Sequence, residues 1–285
     1  MGPVPELYDL LLDSADYPRR WGAPERTIVI CSQQRSGTTL LSEAMYFTGG
    51  VGCPVEYFHA GFRPCLERRW QTTGFAPYCA CVHAHRTDTT GVFSLKYFWR
   101  DIVDLARELA PAEFGELRLA STQINAMSHR RIFALISQTM PNPFFVFLTR
   151  RDEVLQAISY YVARGTGRWR RFSGRAHPGA CPEYSFEKIL VYLGFVQNCN
   201  RQWLNFFRAN DLPFYPMVYE DLAQDYEATL REFFRAVGRP EARIVPPRLH
   251  KQADATSEEF FERFMADFRR QVRGIRKEGR DVAAC

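Results

Sequence analysis

Short apolar runs alternate with longer amphipathic stretches along most of the chain. The runs typical of strands cover residues 27–31, 91–97, 144–149 and 213–219. The first of them is continuous, β-branched and bounded by polar residues, which indicates a strand buried on both faces of a sheet. Strands that alternate with helices favour parallel pairing through helical crossovers. The pattern therefore predicts an α/β fold of three layers, in which helices flank a central, mainly parallel sheet.

The stretches between these runs carry helix-forming residues with an apolar face. Helices are predicted over residues 40–45, 101–109, 121–140, 152–164, 184–210, 221–237 and 257–273. Residues 165–182 hold several glycines, prolines and arginines with little periodicity, and they are predicted to form a long basic loop. A proline-rich, loosely held N-terminal arm, residues 1–25, precedes a single domain over 26–273, and a charged tail, 274–285, follows it.

The composition narrows the class of protein. With 285 residues, of which 46% are hydrophobic, the chain can bury a sizeable core, which excludes a disulfide-dependent peptide or a disordered segment. Its eight cysteines show no framework of a small secreted domain and are expected to be mostly reduced. No apolar run is long enough for a transmembrane helix, and the first residues lack the pattern of a signal peptide, so the expected location is the cytoplasm.

The charge of the chain is mildly positive, since 37 basic and 32 acidic residues give a net charge of +5. This excess fits a protein that binds an anionic small molecule, and it is too small for a histone-like polycation. Lysine and arginine form no long run in the sequence, so binding of nucleic acid is not expected.

The strongest chemical signal is the polar turn between the first predicted strand and the first predicted helix. Such a turn presents unpaired backbone N–H groups and the positive end of the helix dipole, and so attracts phosphate. Arg35 adds charge, and Gly37 permits a close approach of the backbone to an anion. The polar side chains of the turn are those of Gln34, Ser36, Thr38 and Thr39. The alternative is an ordinary capped turn rich in serine and threonine.

This turn is not a Walker A motif, because Thr38 stands where that motif needs a lysine. The missing lysine argues against phosphoryl transfer from a nucleoside triphosphate. Residues 34–41, Gln-Arg-Ser-Gly-Thr-Thr-Leu-Leu, instead resemble the 5′-phosphosulfate loop of sulfotransferases, and more narrowly that of the bacterial trehalose sulfotransferase family. The resemblance extends over about residues 26–270 and includes residues 52–58, 96–99, 150–159 and 251–254.

The resemblance implies a P-loop-like sulfotransferase fold and 3′-phosphoadenosine-5′-phosphosulfate (PAPS) as the sulfuryl donor, with no metal. In the resembling enzymes, an arginine at a strand end and a serine eight or nine residues later hold the 3′-phosphate. Arg150 and Arg151 both stand at the right spacing from Ser159, and Lys251 matches a late basic segment that closes over the same phosphate. The alternative is an exposed arginine pair beside a helix cap at Asp152.

The resemblance also implies that Glu56 is the general base. His59 is the rival, because the animal cytosolic sulfotransferases use a histidine. Lys96 is a lone cation in an apolar run, and a buried lysine needs an anionic partner. The resemblance implies that Lys96 and Arg35 stabilise the charge on the leaving group; the alternative is that Lys96 points outward from the sheet edge.

The acceptor implied by the resemblance is a hydroxyl of a carbohydrate: a trehalose-like sugar, a glycolipid or a glycosylated metabolite. A rim for it is predicted from Glu56, Tyr57, Trp99, Arg168 and Trp169. Cys53 departs from the family pattern, which often has an acidic residue there, so trehalose itself is not implied. The basic loop could instead accept an anionic or lipid-linked acceptor. The resemblance allows a homodimer.

A second group of residues has metal-binding chemistry: Cys79, Cys81, His83 and His85. Strand alternation would place all four on one face, but their spacing matches no usual zinc finger, and no metal site is predicted. Two other functions stay open at this point. One is a kinase-like phosphoryl transferase, and the other is a catalytically silent protein that binds a nucleotide or a glycan.

Overall fold

The computed structural model describes residues 13–118, 124–167, 169, 181–248 and 255–282. Their contacts fall into two compact units. The first contains the described residues up to Arg151 together with Asn198–Arg248, and the second contains Asp152–Gln197 together with the described residues from Ala255 onward.

The first unit is built on a parallel sheet. Among the described residues, the strands are β1 (Arg26–Ser32), β2 (Val92–Phe98), β3 (Pro143–Thr149) and β4 (Phe214–Val218), in the spatial order β2-β1-β3-β4. Each neighbouring pair is parallel. These are the runs that the apolar pattern predicted as strands, so the predicted parallel α/β sheet is confirmed.

Helices connect the strands. They are α1 (Thr38–Thr48), α2 (Arg63–Arg69), α3 (Phe75–Arg86), α4 (Trp99–Leu109), α5 (Pro111–Phe114), α6 (Ala126–Ile136), α7 (Glu153–Thr166), α8 (Phe186–Ala209), α9 (Tyr219–Gln224), α10 (Tyr226–Ala236) and α11 (Ala255–Val282). Short 3₁₀ turns cover Asp13–Ala15 and Ser137–Thr139. None of the described helices has both the length and the apolar character that a bilayer crossing requires.

Helices cover both faces of the sheet. Ile28 and Ile30 of β1 share a buried cluster with residues of α1 and α10. On the opposite face, the ring of Phe207 in α8 packs edge-on against Phe145 and Phe147 of β3, with ring centroids 5.7 Å apart in both pairs. The sheet is therefore the middle of three layers, as the sequence predicts, and its residues are apolar on both sides.

The second unit is a small helical cluster. Ile158 and Tyr161 of α7, Phe186 and Ile189 of α8, and Phe260 and Phe264 of α11 form its buried core. The rings of Phe186 and Phe264 stack with their centroids 4.9 Å apart. The spacing of these apolar residues by three and four positions follows the helical repeat.

Three predicted elements differ from the structure. Residues 79–85 lie in α3 rather than in a strand, because the buried positions Tyr78, Cys79, Val82 and His83 follow the helical period. The helix predicted over 121–140 is shorter, since the side chain of Asn125 accepts a hydrogen bond from the Ser128 N–H and begins α6 there. The helix predicted over 221–237 is divided where Asp225 caps α10.

The described part of the predicted N-terminal arm is attached to α3. The backbone N–H groups of Tyr17 and Arg20 donate to the carbonyls of His85 and Ala84, both at 2.9 Å. One carboxylate oxygen of Asp16 lies 3.2 Å from the guanidinium of Arg86, whose side chain is fully buried. Residues 16–20 are therefore held by hydrogen bonds and by an ion pair, and are not loose.

Candidate active site

The loop after β1 is held by its own hydroxyl groups. Ser36 Oγ donates to the carbonyl of Gln33 at 2.7 Å, and Ser32 Oγ donates to the carbonyl of Leu148 in β3 at 2.5 Å. Ser36 is buried, so its hydroxyl shapes the loop from inside. Arg35 and Gly37 both have positive φ angles, of 69° and 84°. Two left-handed residues so close together turn the chain sharply from the strand into α1.

The N-terminus of α1 carries no side-chain cap, because the residue in the capping position is Gly37. Thr38 is buried and Thr39 is half-buried in the first turn of this helix. The first N–H groups of a helix have no intrahelical partner and attract anions. The predicted anion-binding turn is thus present as a strand, a tight loop and an uncapped helix start.

The ring of Tyr219 covers Gly37. A Cβ atom at position 37 would lie 2.2 Å from Cδ2 of this ring. Tyr219 is the first residue of α9 and follows β4 directly. The sequence reasoning assigned Gly37 to the approach of an anion, and the structure adds a steric reason that the sequence could not show.

Two guanidinium groups meet at this loop. Nη1 of Arg150 donates to the carbonyl of Arg35 at 3.4 Å, and the guanidinium of Arg150 lies over the ring of Tyr219, 5.2 Å from its centre. Burial, and then the positive charge of Arg150, lowers the pKa of Arg35 to about 10. Two neighbouring positive charges at an uncapped helix start produce a local potential that favours an anion.

Arg151 lies differently from Arg150. Its exposed side chain donates from Nη2 to Asp221 Oδ1 at 2.7 Å, and this partner raises the pKa of Arg151. Its backbone N–H donates to Glu220 Oε2 at 2.8 Å. Of the two arginines that the sequence left open, Arg150 is therefore the one in contact with the loop.

Gln33 is a residue of this loop that the sequence reasoning missed. Its side chain is fully buried, and neither its amide nitrogen nor its amide oxygen has a hydrogen-bond partner among the described residues. A buried amide without partners is costly unless a ligand or water completes it. The signal was a glutamine directly after a buried strand, but the motif directed attention to the half-buried Gln34 beside it.

Glu56 and Lys96 form a buried ion pair. Oε1 of Glu56 lies 2.9 Å from Nζ of Lys96, whose side chain is 1% exposed. The second carboxylate oxygen, Oε2, is buried and has no hydrogen-bond partner among the described residues. Two of the three residues assigned to catalysis from the sequence are thus in direct contact, and the alternative in which Lys96 points outward is wrong.

The backbone brings this pair together at the sheet. Val55 forms a parallel bridge to Leu95 of β2, and the Lys96 N–H donates to the Val55 carbonyl at 3.0 Å. Lys96 lies opposite Ile30 in the strand register. Paired positions of neighbouring strands face the same side, so Lys96 faces the side of the sheet that α1 covers.

His59, the rival base, has a different environment. Its Nδ1 accepts a hydrogen bond from the Gly61 N–H at 3.0 Å. Burial lowers the pKa of His59, so the ring is neutral near pH 7. With Nδ1 serving as an acceptor, the neutral ring carries its proton on Nε2. Neither nitrogen of His59 is then free to accept a proton from a substrate.

Two aromatic residues of the predicted rim lie in the core. Tyr57 is fully buried, and its hydroxyl donates to the Cys53 carbonyl at 2.5 Å. Trp99 is fully buried against Trp203, with ring centroids 5.3 Å apart. Neither ring offers an exposed platform for a sugar, which corrects that part of the prediction. The reason is hydrophobic packing, because large rings next to a central strand are most stable when buried.

Other predicted site residues fall elsewhere. Ser159 is half-buried in α7, and Trp169 is 39% exposed and packs edge-on against Tyr160; all three belong to the second unit. Arg168 and Lys251, and most of the basic loop, lie outside the described residues. The roles of Ser159, Arg168, Trp169 and Lys251 stay predictions.

Asp101, in the first turn of α4, is an additional buried acid. Its Oδ2 accepts a hydrogen bond from the Phe98 N–H at 2.9 Å, while Oδ1 has no partner among the described residues. Burial, reinforced by the negative charge of Glu56, raises the pKa of Asp101 to about 8, although the bond from Phe98 opposes this change. The sequence predicted only that a helix begins at this residue.

The helical geometry of α3 separates His85 from Cys79 and His83. Cys79 and His83 lie one turn apart, and His83 Nε2 lies 3.2 Å from the Thr139 carbonyl. His85 stacks on Trp70 instead, with ring centroids 5.3 Å apart. Within the described ranges, no group of three or more histidine, cysteine, aspartate or glutamate side chains is arranged to hold a metal ion.

Comparison with known proteins identifies the family. The family model described as Stf0 sulphotransferase matches residues 27–267. Among solved structures, a sulfotransferase domain from the Synechococcus PCC 7002 olefin synthase is 14% identical, with 87% of this chain and 97% of that chain covered and a TM-score of 0.38. No match was found among curated proteins. The family match confirms the resemblance that the loop motif carries: the chain belongs to the Stf0 sulphotransferase family.

Proposed function

We propose that the protein transfers the sulfuryl group of PAPS to a hydroxyl of a carbohydrate acceptor, with Glu56 as the general base. Membership of the family supports sulfuryl transfer. The observation that carries the role of Glu56 is its buried pair with Lys96, on the side of the sheet covered by α1. A buried carboxylate with one unpartnered oxygen is suited to accept a proton.

The residues around the β1–α1 loop fit a phosphosulfate. The uncapped N–H groups of α1 and the guanidinium groups of Arg35 and Arg150 would bind its anionic groups. The unpartnered amide of Gln33 is a further donor in the same loop. When bound, PAPS supplies the sulfuryl group and a nucleotide bisphosphate as the leaving group. Arg150, Ser159 and Lys251 remain the proposed partners of the 3′-phosphate.

In this proposal Glu56 and Lys96 have different roles. Glu56 accepts the proton of the acceptor hydroxyl on Oε2, the oxygen that does not contact Lys96. Lys96 supplies the counter-charge that holds the carboxylate in place and, with Arg35, stabilises the negative charge that develops on the departing phosphate. The new bond joins the acceptor oxygen to sulfur, and the bond that breaks joins sulfur to the bisphosphate oxygen.

The acceptor class rests on the family resemblance. Glu56 remains part of the proposed acceptor site, whereas the buried rings of Tyr57 and Trp99 do not. Arg168 and Trp169 remain proposed acceptor contacts. A small sugar, a glycolipid and a glycosylated metabolite all present a suitable hydroxyl. A cytoplasmic location and a homodimer also stay proposals.

The test is a transfer assay with radiolabelled PAPS against a panel of disaccharides, glycolipids and other hydroxyl metabolites. Once an acceptor is found, we expect Glu56→Gln to lower kcat by about 10²–10⁴-fold, because the amide cannot take the proton. His59→Ala, the matched control, is expected to keep kcat within about threefold of wild type, because neither ring nitrogen is free to act as a base.

Both variants must bind adenosine 3′,5′-bisphosphate as wild type does, which shows that the donor site is intact. Near-normal turnover by Glu56→Gln together with an inactive His59→Ala would reverse the assignment of the base. Turnover of Mg²⁺-ATP with the same acceptors would favour a phosphoryl transferase instead. Binding of the bisphosphate without transfer to any acceptor would favour a silent binding protein.

A further inference from the structure

Glu220 connects the strand end at Arg150 to the start of α9. Thr149 of β3 lies opposite Val218 of β4, so the residues that follow these two strand ends are neighbours. Glu220 Oε2 accepts a hydrogen bond from the Arg151 N–H at 2.8 Å. Its other oxygen, Oε1, lies 3.6 Å from Nε of Arg150, and both side chains are largely buried. The carboxylate is thus fixed to the backbone on one side and faces Arg150 on the other.

The guanidinium of Arg150 is held on three sides. The carboxylate of Glu220 faces its Nε end, the carbonyl of Arg35 accepts from Nη1, and the ring of Tyr219 covers one face. Nε itself is buried and has no hydrogen bond among the described residues, so the ion pair with Glu220 is its contact at that end. This arrangement presents the Nη edge of Arg150 to the loop.

The charges around the loop indicate a role for Glu220. Arg35 and Arg150 carry like charges and repel each other, and the charge of Arg150 is the second cause, after burial, of the lowered pKa of Arg35. Neither guanidinium group would therefore keep its place from their mutual contact alone. A carboxylate at the far end of Arg150 compensates this repulsion, because it attracts Nε without occupying the Nη edge.

We propose that Glu220 is a positioning residue that orients Arg150 for the anionic groups of the sulfuryl donor. This inference rests on the proposed function, because it gives Arg150 a phosphate to bind. Glu220 acts through Arg150 and does not touch the donor itself. Its negative charge near an anion site is tolerated because the carboxylate lies behind the guanidinium, at the Nε end.

The test compares Glu220→Gln with Asp221→Asn, the neighbouring acid that pairs with the exposed Arg151. Glutamine keeps an oxygen that can accept from the Arg151 N–H, so only the charge is lost. We expect the Kd of adenosine 3′,5′-bisphosphate, measured by calorimetry, to rise about tenfold in Glu220→Gln. Asp221→Asn is expected to bind as wild type does.

A thermodynamic cycle separates positioning from general damage. In an Arg150→Ala background, Glu220→Gln should weaken binding no further, because the residue it orients is gone. Tighter binding by Glu220→Gln would show that the carboxylate only competes with the anion. An equal loss in both backgrounds would show a structural role. Either result overturns the proposal.

A measurement on the protein without ligand separates this test from the test of the proposed sulfuryl donor. In ¹⁵N-labelled protein, Glu220→Gln should shift the Arg150 Nε–H resonance and speed its exchange with water, whereas Asp221→Asn should not. If wild type fails to bind the bisphosphate, the proposed function fails, and this resonance still decides the role of Glu220. An unchanged resonance in Glu220→Gln overturns the positioning role.

Discussion

Glycine at position 37 meets two separate constraints. Its φ angle of 84° lies in the left-handed region, and the ring of Tyr219 occupies the space that a side chain would need. Gly167, which follows α7, is also left-handed, with a φ angle of 69°, and nothing beyond its chain neighbours lies within 4 Å of the position that a Cβ would take there. These two glycines therefore separate backbone strain from steric exclusion.

We expect Gly167→Ala to lower the free energy of unfolding by about 1–2 kcal/mol, which is the cost of a left-handed alanine. Gly37→Ala is expected to cost clearly more and to weaken binding of adenosine 3′,5′-bisphosphate, because Tyr219 must move away from the loop. Urea unfolding and calorimetry of both variants measure these effects. Equal losses of stability together with unchanged binding would contradict this expectation, because they would show that the Tyr219 ring moves at little cost in free energy.

Some residues of the candidate site could be recognised in the sequence, whereas others could be recognised only in the structure. Lys96 could be selected because it is a lone charge in an apolar run, and Glu56 because the family resemblance implies its role. Gln33 and Tyr219 could not, because each looks ordinary in sequence and becomes notable only through burial or through one close contact. The choice between Arg150 and Arg151 likewise needed the tertiary structure.

At the scale of elements, the start of α4 is controlled by a buried acid. Asp101 accepts the hydrogen bond of the Phe98 N–H that precedes the helix, and its pKa is raised to about 8, mainly by burial. In the unfolded chain the same side chain has its ordinary pKa of 3.8. Between these two values the folded protein holds a proton that the unfolded chain has lost, so the contribution of Asp101 to stability decreases as the pH rises.

We therefore expect wild type to lose stability relative to Asp101→Asn as the pH rises from about 4 to about 8, with the difference constant above that range. Asparagine keeps the acceptor for the Phe98 N–H and does not titrate. Urea unfolding of both proteins across this pH range measures the difference. Asp104→Asn is the control, because this side chain of the same helix is 38% exposed. A pH-independent difference for Asp101→Asn would contradict the burial argument.

The helices and strands differ in how well the local sequence pattern predicts them. Continuous apolar runs predicted the strands because a central parallel strand is buried on both faces. At residues 79–85 the cysteines and histidines at every second position resemble a strand face, whereas burial there follows the helical repeat. The caps at Asn125 and Asp225 ended or divided predicted helices through side-chain hydrogen bonds that periodicity alone does not reveal.

At the scale of the whole molecule, the net charge of +5 is partly concentrated in one place. Arg35 and Arg150 meet beside the start of α1, and Lys96 faces the same side of the sheet, where Glu56 compensates it. A small overall charge therefore conceals a strong local potential. Local concentration of charge, and not the net value, determines which anions a protein binds.

We expect adenosine 3′,5′-bisphosphate at about one hundred times its Kd to stabilise the protein by about 2.7 kcal/mol, seen as a higher Tm. At the same concentration the shift should be clearly smaller in Arg150→Ala and unchanged in Arg151→Ala, because of these two arginines only Arg150 contacts the loop. It should also decrease with added salt, since the attraction is electrostatic. A larger shift with Mg²⁺-ATP than with the bisphosphate would contradict the proposed donor.

The amino-acid sequence by itself determined the four strands, the polar turn between β1 and α1, and the resemblance to sulfotransferases. These are local properties, because neighbouring residues in the sequence determine a buried strand, a tight turn and the start of a helix. Tertiary structure decided which arginine contacts that loop, that Glu56 pairs with Lys96, and that Tyr219 covers Gly37. Residues so far apart in the chain meet only when the parallel strands align, so their contacts depend on register and packing that no local pattern encodes.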